Sequence, residues 1–332
     1  MRILFAGSPA IAVPALEAAV SMSGEGFTLA GLLTKADTPK GRSGKPEPTE
    51  CALALGAIAA AQSIPLLAVP LLKPEKLDSV AREQAASLNA DLLVSFAYGK
   101  IFGPQFLALF PLGGINIHPS LLPQYRGPTP IPAAILNRET VTGITIQRLA
   151  AEMDSGDILI QETAPLNGRE TTASLSDVMA KKAAQLLPAA LRGIAAGTLQ
   201  ATPQDHSVAT YCSLIKKEDG VIDWNRSAAE IDAQIRAFTP WPLSWTTHGE
   251  LPLFVLRAEV LKAESTKALQ ANAPALPGQV LGKDKDKGIL IQTGNGILAV
   301  SELQYRTKKA LEWKAFLNGA RDFMGARLGN NN

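Results

Sequence analysis

Residues 2–22 read RILFAGSPAIAVPALEAAVSM, and their pattern decides the fold. RILFAG is a short, nearly unbroken apolar run, the signature of a strand buried on both faces. PAIAVPALEAAVSM then changes period, and its apolar positions suit a helix. A buried strand that runs straight into a helix is the opening of a βαβ unit, whose strands are parallel. The turn between them, AGSPAIA, lacks the G-x-G-x-x-G spacing that lets a backbone approach a pyrophosphate. The pattern therefore predicts a Rossmann-type sheet but gives no support for a dinucleotide site.

The alternation continues outward from this unit. FTLAGLLT (27–34) reads as a second strand, Thr49–Gln62 as an Ala-rich helix, PLLAV (65–69) as a third strand, and 73–89 as a helix with Pro74 near its start. DLLVSFAYG (91–99) is a fourth strand, and GGINIH (113–118) is a strand that ends at His118. GITIQRLAA (143–151) follows, then EMDSGDILIQETAPL (152–166), in which D-S-G-D is a turn between strand-like runs. The expected N-terminal domain is α/β with a mostly parallel sheet. A helix-like stretch at 171–196 gives way to GTLQATPQDHS (197–207), a polar, Pro-containing linker, which places a boundary at 206. Domains of 1–206 and 207–332 follow. In the second, a helical piece at 227–238 precedes the short runs LFVLRAEV, GQVLG, GILIQTG and GILAVSELQ, which suit a small β-barrel.

Composition narrows the class. With 332 residues, 46% of them hydrophobic, and a net charge of +2, the chain has ample material for core and is neither disordered nor fibrous. So small a net charge neither demands nor excludes a nucleic-acid partner. Cys51 and Cys212 are the only cysteines, too few for a disulfide framework or a zinc cluster, and they suit a reducing cytoplasm. No signal-type h-region opens the chain and no apolar window is long enough for a membrane span, so a cytoplasmic protein is expected.

Polar residues concentrate in INIHPSLLPQYRGPTPI (115–131). Asn116 and His118 lie two apart, so on a strand they share a face. They stand at the strand's carboxyl end, where open α/β sheets bind ligands. Pro119, Pro123, Pro128 and Pro130 preset the following segment. Its remaining amides and carbonyls are expected to be free for a polar ligand, with Leu121 and Leu122 as apolar wall. Asp154 and Asp157 flank Ser155-Gly156. Singly, each has a plain reading: a hydrogen-bonded histidine in a strand, an aspartate making an Asx-turn. Together they form a candidate Asn/His/Asp constellation. The stretch KADTPKGRSGK (35–45) carries Lys35, Lys40, Arg42 and Lys45 against Asp37 alone, and is either a solvated connector or a phosphate-binding arm. Trp241 and Trp245 in TPWPLSW read as domain packing, His206 and His248 as structural or exposed, and KDKDKG (283–288) as an exposed hairpin turn.

NIHPSLLPQYRG…PI followed by TGITIQRLAAEMDSGDIL closely resembles the formyltransferases that use 10-formyltetrahydrofolate. The resemblance extends to ILFAGSP, to AYG (97–99) and to IDWNRSAAEIDAQIRAFTPWPLSW (222–245), and so covers most of the chain. Within that family it is greatest to the members that formylate initiator methionyl-tRNA. It implies a Rossmann-type catalytic domain and an OB-like C-terminal domain that meets the tRNA. Asn116, His118 and Asp154 match the family's catalytic trio, and Ser120, Leu121, Leu122 and Pro123 its folate-binding SLLP. Lys40, Arg42 and Lys45 would lie on an arm that contacts the tRNA acceptor, although their spacing departs by one residue from the family's GRG-type motif. The resemblance further implies 10-formyltetrahydrofolate as donor, no metal, initiator methionyl-tRNA as partner, and a monomer.

The chemistry of the residues agrees with that role. Attack of an α-amine on a formyl carbon develops an oxyanion, for which Asn116 is a side-chain donor. Protonated His118 can donate to the same oxygen or to the leaving nitrogen, while Asp154 holds the imidazolium and helps move the amine's proton. Asp157 is the weaker candidate acid. A sugar-nucleotide amine formyltransferase, which shares the trio and the SLLP loop, is the alternative. A folate- or RNA-binding module without catalysis would not need the trio.

Overall fold

The computed structural model describes residues 1–39, 44–61, 69–262 and 275–329. The chain divides into two compact units. The first comprises Met1–Pro130, Val141–Pro165 and Leu175–Ser213, and the second Ile131–Thr140, Leu166–Ser174 and Leu214–Asn332.

In the first unit, β1 (Arg2–Gly7) leads through a 3-10 turn into α1 (Val13–Ser21), which has a proline in its first turn. Then come β2 (Thr28–Leu33), the two-residue strands β3 (Thr38–Pro39) and β4 (Pro46–Glu47), α2 (Glu50–Ala61), β5 (Leu71–Leu72) and α3 (Ser79–Ser87). β6 (Leu92–Phe96), α4 (Pro104–Leu107), β7 (Gly114–His118), α5 (Pro130–Leu136), β8 (Val141–Arg148), β9 (Ile158–Pro165) and α6 (Thr172–Ala195) follow in the chain, of which α5 beyond Pro130 belongs to the second unit and α6 to the first from Leu175 onward. Seven strands make one sheet in the order β5-β2-β1-β6-β7-β8-β9. Pairings from β5 to β7 are parallel, and β7-β8 and β8-β9 are antiparallel. β1 and β2 bury five of their six residues each, as unbroken apolar strands covered on both faces must. Leu4, Ala6, Leu33, Leu93, Phe102, Phe106 and Phe110 form core on one side of it. Each such Leu or Phe side chain contributes roughly 1.5–3 kcal/mol by leaving water.

Two expectations shift. Residues 65–68 of the PLLAV strand lie outside the described residues, and the strand seen at that edge is β5, whose Leu71 pairs with Leu32. The helix expected from residue 73 begins only at Ser79. Asp78 is extended and its carboxylate accepts the Ala81 N–H, so it takes the N-cap and ends the irregular run before it.

In the second unit, α7 (Ala228–Ala237) starts at a reciprocal cap in which Ser227 and Glu230 satisfy each other's backbone N–H groups. β10 (Ser244–His248), β11 (Leu251–Val260), β12 (Val280–Asp284), β13 (Gly288–Gln292), β14 (Ile297–Tyr305) and β15 (Leu311–Glu312) follow, then α8 (Trp313–Gly319). The antiparallel order is β10-β11-β14-β13-β12, with β15 beside β14. The tail closes it. Leu328 bridges His248 of β10 and Arg327 bridges Gln279 before β12, so both edges are covered in the manner of a small barrel. Ile231, Ile235, Leu253, Ile291, Val300, Phe316 and Phe323 fill the interior. KDKDKG is a hairpin turn, with Asp284 opposite Gly288. Trp245 is half-buried on β10, but Trp241 does not pack as expected. It is 58% exposed, because the tip closed by Leu243 N–H to the Phe238 carbonyl turns it outward.

Candidate active site

His118 is the last residue of β7, which is also the last parallel strand of the sheet. The next strand, β8, runs antiparallel with Asn116 opposite Gln147 and His118 opposite Thr145. This register places two amides side by side across the strands, both directed at one carboxylate. Asn116 Nδ2 donates to Asp154 Oδ1 at 3.3 Å, and Gln147 Nε2 donates to the same oxygen at 3.0 Å. The Gly127 N–H donates to Oδ2 at 2.9 Å, and His118 Nδ1 lies 3.5 Å from Oδ2. Asn116, His118 and Asp154 are thus brought together in one cluster, from a strand and a loop 38 residues apart.

His118 is 4% exposed. Its Nε2 lies 2.8 Å from the Tyr125 carbonyl. A carbonyl oxygen only accepts, so Nε2 carries a proton, and Nδ1 is the ring nitrogen that faces Asp154. Asp154 itself sits at φ 54°, the left-handed region, in the turn between β8 and β9. That turn is closed by the Arg148 N–H to the Asp157 carbonyl. Gly156 packs so closely on the Arg148 carbonyl that a Cβ would lie 2.0 Å from its oxygen, so only glycine fits. Asp157 contributes its backbone to this turn.

The SLLP loop differs from expectation in one respect: its backbone is engaged. The Ser120 N–H donates to the His118 carbonyl, and the Ser120 carbonyl accepts from Thr145 Oγ1 at 2.7 Å. The Leu122 N–H donates to Thr145 Oγ1, and Gln161 Nε2 donates to the Leu122 carbonyl. Buried backbone must find partners, and the polar residues of β8 and β9 supply them. Ser120 is fully buried with its hydroxyl donated to the Gln124 carbonyl, and Leu122 is 2% exposed. Leu121 and Pro123 keep exposed surface.

Behind the loop runs the segment 202–212. The Arg126 N–H donates to the Thr210 carbonyl, and the Cys212 N–H donates to the Arg126 carbonyl. The Arg126 guanidinium, 1% exposed, donates through Nε and Nη2 to Gln204 Oε1 at 3.1 and 2.7 Å. It also reaches His206 Nδ1 at 3.1 Å and the Tyr211 hydroxyl at 3.3 Å. Burial pushes the Cys212 thiol up from its ordinary range, and the Asp154 charge adds to that, so it stays a neutral thiol. Tyr98, just past β6, is likewise pushed up to about 12 by burial, and its hydroxyl has no partner among the described residues.

Of the predicted arm, Lys40 and Arg42 lie outside the described residues. Lys45 is exposed beside the β3-β4 pair, and Asp37 pairs with Lys73 at 2.6 Å. Among the described residues no group of three His, Cys, Asp or Glu side chains is arranged to hold a metal, and no helix is long and apolar enough to cross a membrane.

The formyl transferase family model matches residues 1–191, and the formyl transferase C-terminal domain model matches 214–321. The methionyl-tRNA formyltransferase of Treponema denticola is 49% identical over 324 residues, 98% of each chain, and that of Treponema pallidum 42% identical over 331 residues, 99% of each. The chain belongs to the methionyl-tRNA formyltransferase family. The fold has the same relationship at a distance. The solved N-formyltransferase of Helicobacter canadensis, in complex with folinic acid and dTDP-3-aminofucose, superposes with a TM-score of 0.62 at 19% identity, over 90% of this chain and 98% of that one.

Three further residues of the cluster, Arg126, Gln147 and Gln204, carried no role in the sequence reading. Arg126 stands inside YRG, and a lone Arg in a proline-rich stretch was the available signal. Gln147 becomes visible only through strand register, and Gln204 lies in a stretch that reads as linker.

Proposed function

We propose that this chain transfers the formyl group of 10-formyltetrahydrofolate to the α-amine of initiator methionyl-tRNA, with Asn116, His118 and Asp154 as its catalytic residues. The observation that carries the reading is the full-length relationship to methionyl-tRNA formyltransferases at 49% identity. The convergence of Asn116 and His118 on Asp154 supports the residue roles. Asn116 has a second N–H beyond the one given to Asp154 and is half-exposed. It donates to the oxyanion as the amine nitrogen bonds to the formyl carbon. His118 accepts the amine's proton on Nδ1, where the Asp154 carboxylate stabilises the imidazolium, and returns it to the leaving folate nitrogen as the old C–N bond breaks. Leu121 and Pro123 give the donor's ring system an apolar wall, while Ser120 and Leu122 shape the loop from within.

In this reading residues 1–206 form the catalytic domain and 207–332 the tRNA-facing domain. Lys40, Arg42 and Lys45 approach the acceptor phosphates, and the enzyme works as a cytoplasmic monomer. The test is transfer of labelled formyl from 10-formyltetrahydrofolate to initiator methionyl-tRNA, with elongator methionyl-tRNA and an amino-sugar nucleotide as parallel acceptors. Label on the initiator alone is expected. Label on the sugar would overturn the choice of acceptor while leaving the trio in place.

A further inference from the structure

Arg126 is a fully buried cation whose hydrogen-bond partners among the described residues are all uncharged: Gln204 Oε1, His206 Nδ1 and the Tyr211 hydroxyl. A buried guanidinium without a carboxylate beside it calls for an account. The bonds beyond Gln204 supply one. Gln204 Nε2 lies 3.2 Å from Gln147 Oε1, 2.9 Å from the Asp154 carbonyl and 2.7 Å from the Gly156 carbonyl. Gln147 Nε2 in turn donates to Asp154 Oδ1 at 3.0 Å. Gln204 and Gln147 are 5% and 1% exposed, so neither amide has water as an alternative partner.

We propose that Arg126 is a positioning residue that fixes the direction of this two-amide relay and so keeps N–H donors aimed at the Asp154 carboxylate. A guanidinium has donors only. It therefore holds the oxygen of Gln204 toward itself, while the Asp154 and Gly156 carbonyls hold the Gln204 amino group beside Gln147. Gln147 must then present its oxygen to Gln204 and its amino group to Asp154. The chain runs from cation through two amides to anion with every dipole aligned, an arrangement in which each bond strengthens the next. Without the guanidinium the Gln204 oxygen loses its donors and the side chain its anchor, so Gln147 loses the partner that fixes it, and a reversed Gln147 would set an oxygen against the carboxylate. Arg126 acts a second time through its neighbour, since the Gly127 N–H holds the other carboxylate oxygen. Gln204 places the same control in the segment that follows α6, remote in sequence from the trio.

This inference rests on the catalytic reading of Asp154. Its decisive variant is Gln204→Glu, which keeps acceptors for Arg126 but sets a carboxylate oxygen against the Asp154 and Gly156 carbonyls and offers Gln147 acceptors only, so that the relay is reversed. The expected result is a lowered melting temperature in a variant that still folds, an unchanged KM for 10-formyltetrahydrofolate, and a kcat lowered by at least about tenfold. Arg126→Met is expected to lower kcat in the same way, at some cost to folding. In an Asp154→Asn background, single-turnover rates should show no further loss from Gln204→Glu, because the residue acts through that carboxylate. Full kcat in Gln204→Glu, or an equal additional loss in the Asp154→Asn background, would overturn the relay alone. Near-normal turnover in Asp154→Asn by itself would overturn the catalytic reading, and the relay with it.

Discussion

Replacing Gly127 with alanine tests the packing of the site loop and its chemistry in one step. Gly127 lies at φ 117°, a region that side chains avoid, and a Cβ there would fall 2.2 Å from the Cys212 carbonyl oxygen. Forcing an ordinary residue into that backbone conformation costs about 1–3 kcal/mol. The clash adds to it, since backbone must withdraw by roughly 1 Å to restore ordinary contact, and such overpacking costs about 1–3 kcal/mol more. The atom that must withdraw belongs to Cys212, whose N–H is bonded to the Arg126 carbonyl at 2.8 Å, so the shift spreads along the paired segments. Stability of the first unit should fall by about 2–6 kcal/mol, the sum of the two and toward the large end of single-residue effects. The Gly127 N–H is also one of the donors to Asp154, and a displacement of about 1 Å in a catalytic constellation can slow turnover by about a hundredfold. Urea unfolding followed by far-ultraviolet circular dichroism measures the first quantity, since all four tryptophans lie in the second unit, and formyl transfer at saturating donor and acceptor the second. A variant with the parent's urea midpoint and the parent's kcat would refute both the tight approach of Cys212 and the role of the amide.

Asn116→Ala should lower kcat by about 10²–10³ with folding intact, the usual cost of an oxyanion donor; single-turnover transfer checks it. Arg42→Ala should raise KM for methionyl-tRNA far more than KM for the folate, and should flatten the salt dependence of the former; steady-state kinetics at two salt concentrations decides this. Tyr98→Phe should raise the unfolding free energy by about 1 kcal/mol, because it removes a buried hydroxyl that has no partner; a loss in urea unfolding would contradict that. Glu230 is held down to about 2, chiefly by the Ser227 hydroxyl and then by the Ser227 N–H. A depressed carboxylate stabilises fully above its ordinary value of 4.5 and loses that contribution as pH falls toward 2. The melting-temperature deficit of Glu230→Gln at neutral pH should therefore shrink across that window, as thermal scans at several pH values would record.

The parts of this molecule that were legible in the sequence are those written in local pattern. The first strand and helix announce themselves by a change of period, and GGINIH by an apolar run that puts two polar side chains on one face. Asp154 was findable because D-S-G-D is turn chemistry between two strands. What escaped depends on partners distant in sequence. That Asn116 faces Gln147 follows from strand register, which no window around either residue contains. That Gln204 is buried follows from the way its segment lies against the 123–127 loop, whereas its own surroundings, TPQDHS, are those of a linker. The loop's amides look free in a proline-rich sequence, and are not, because Thr145 and Gln161 stand beside them in the neighbouring strands.

The ladder between Arg126 and Tyr211 has a practical outcome for anyone dissecting the protein. A fragment stopped at Ala195, where the last long helix of the first unit ends, would retain all three members of the trio and the whole seven-stranded sheet. It would also strip the acceptors from the Arg126 guanidinium and uncover the flank of the loop that carries the Gly127 amide. Such a piece would keep the architecture of an enzyme with its carboxylate unanchored. The shortest truncation that keeps the trio's surroundings intact runs to Ser213, past every strand and helix that a diagram of the first unit would show.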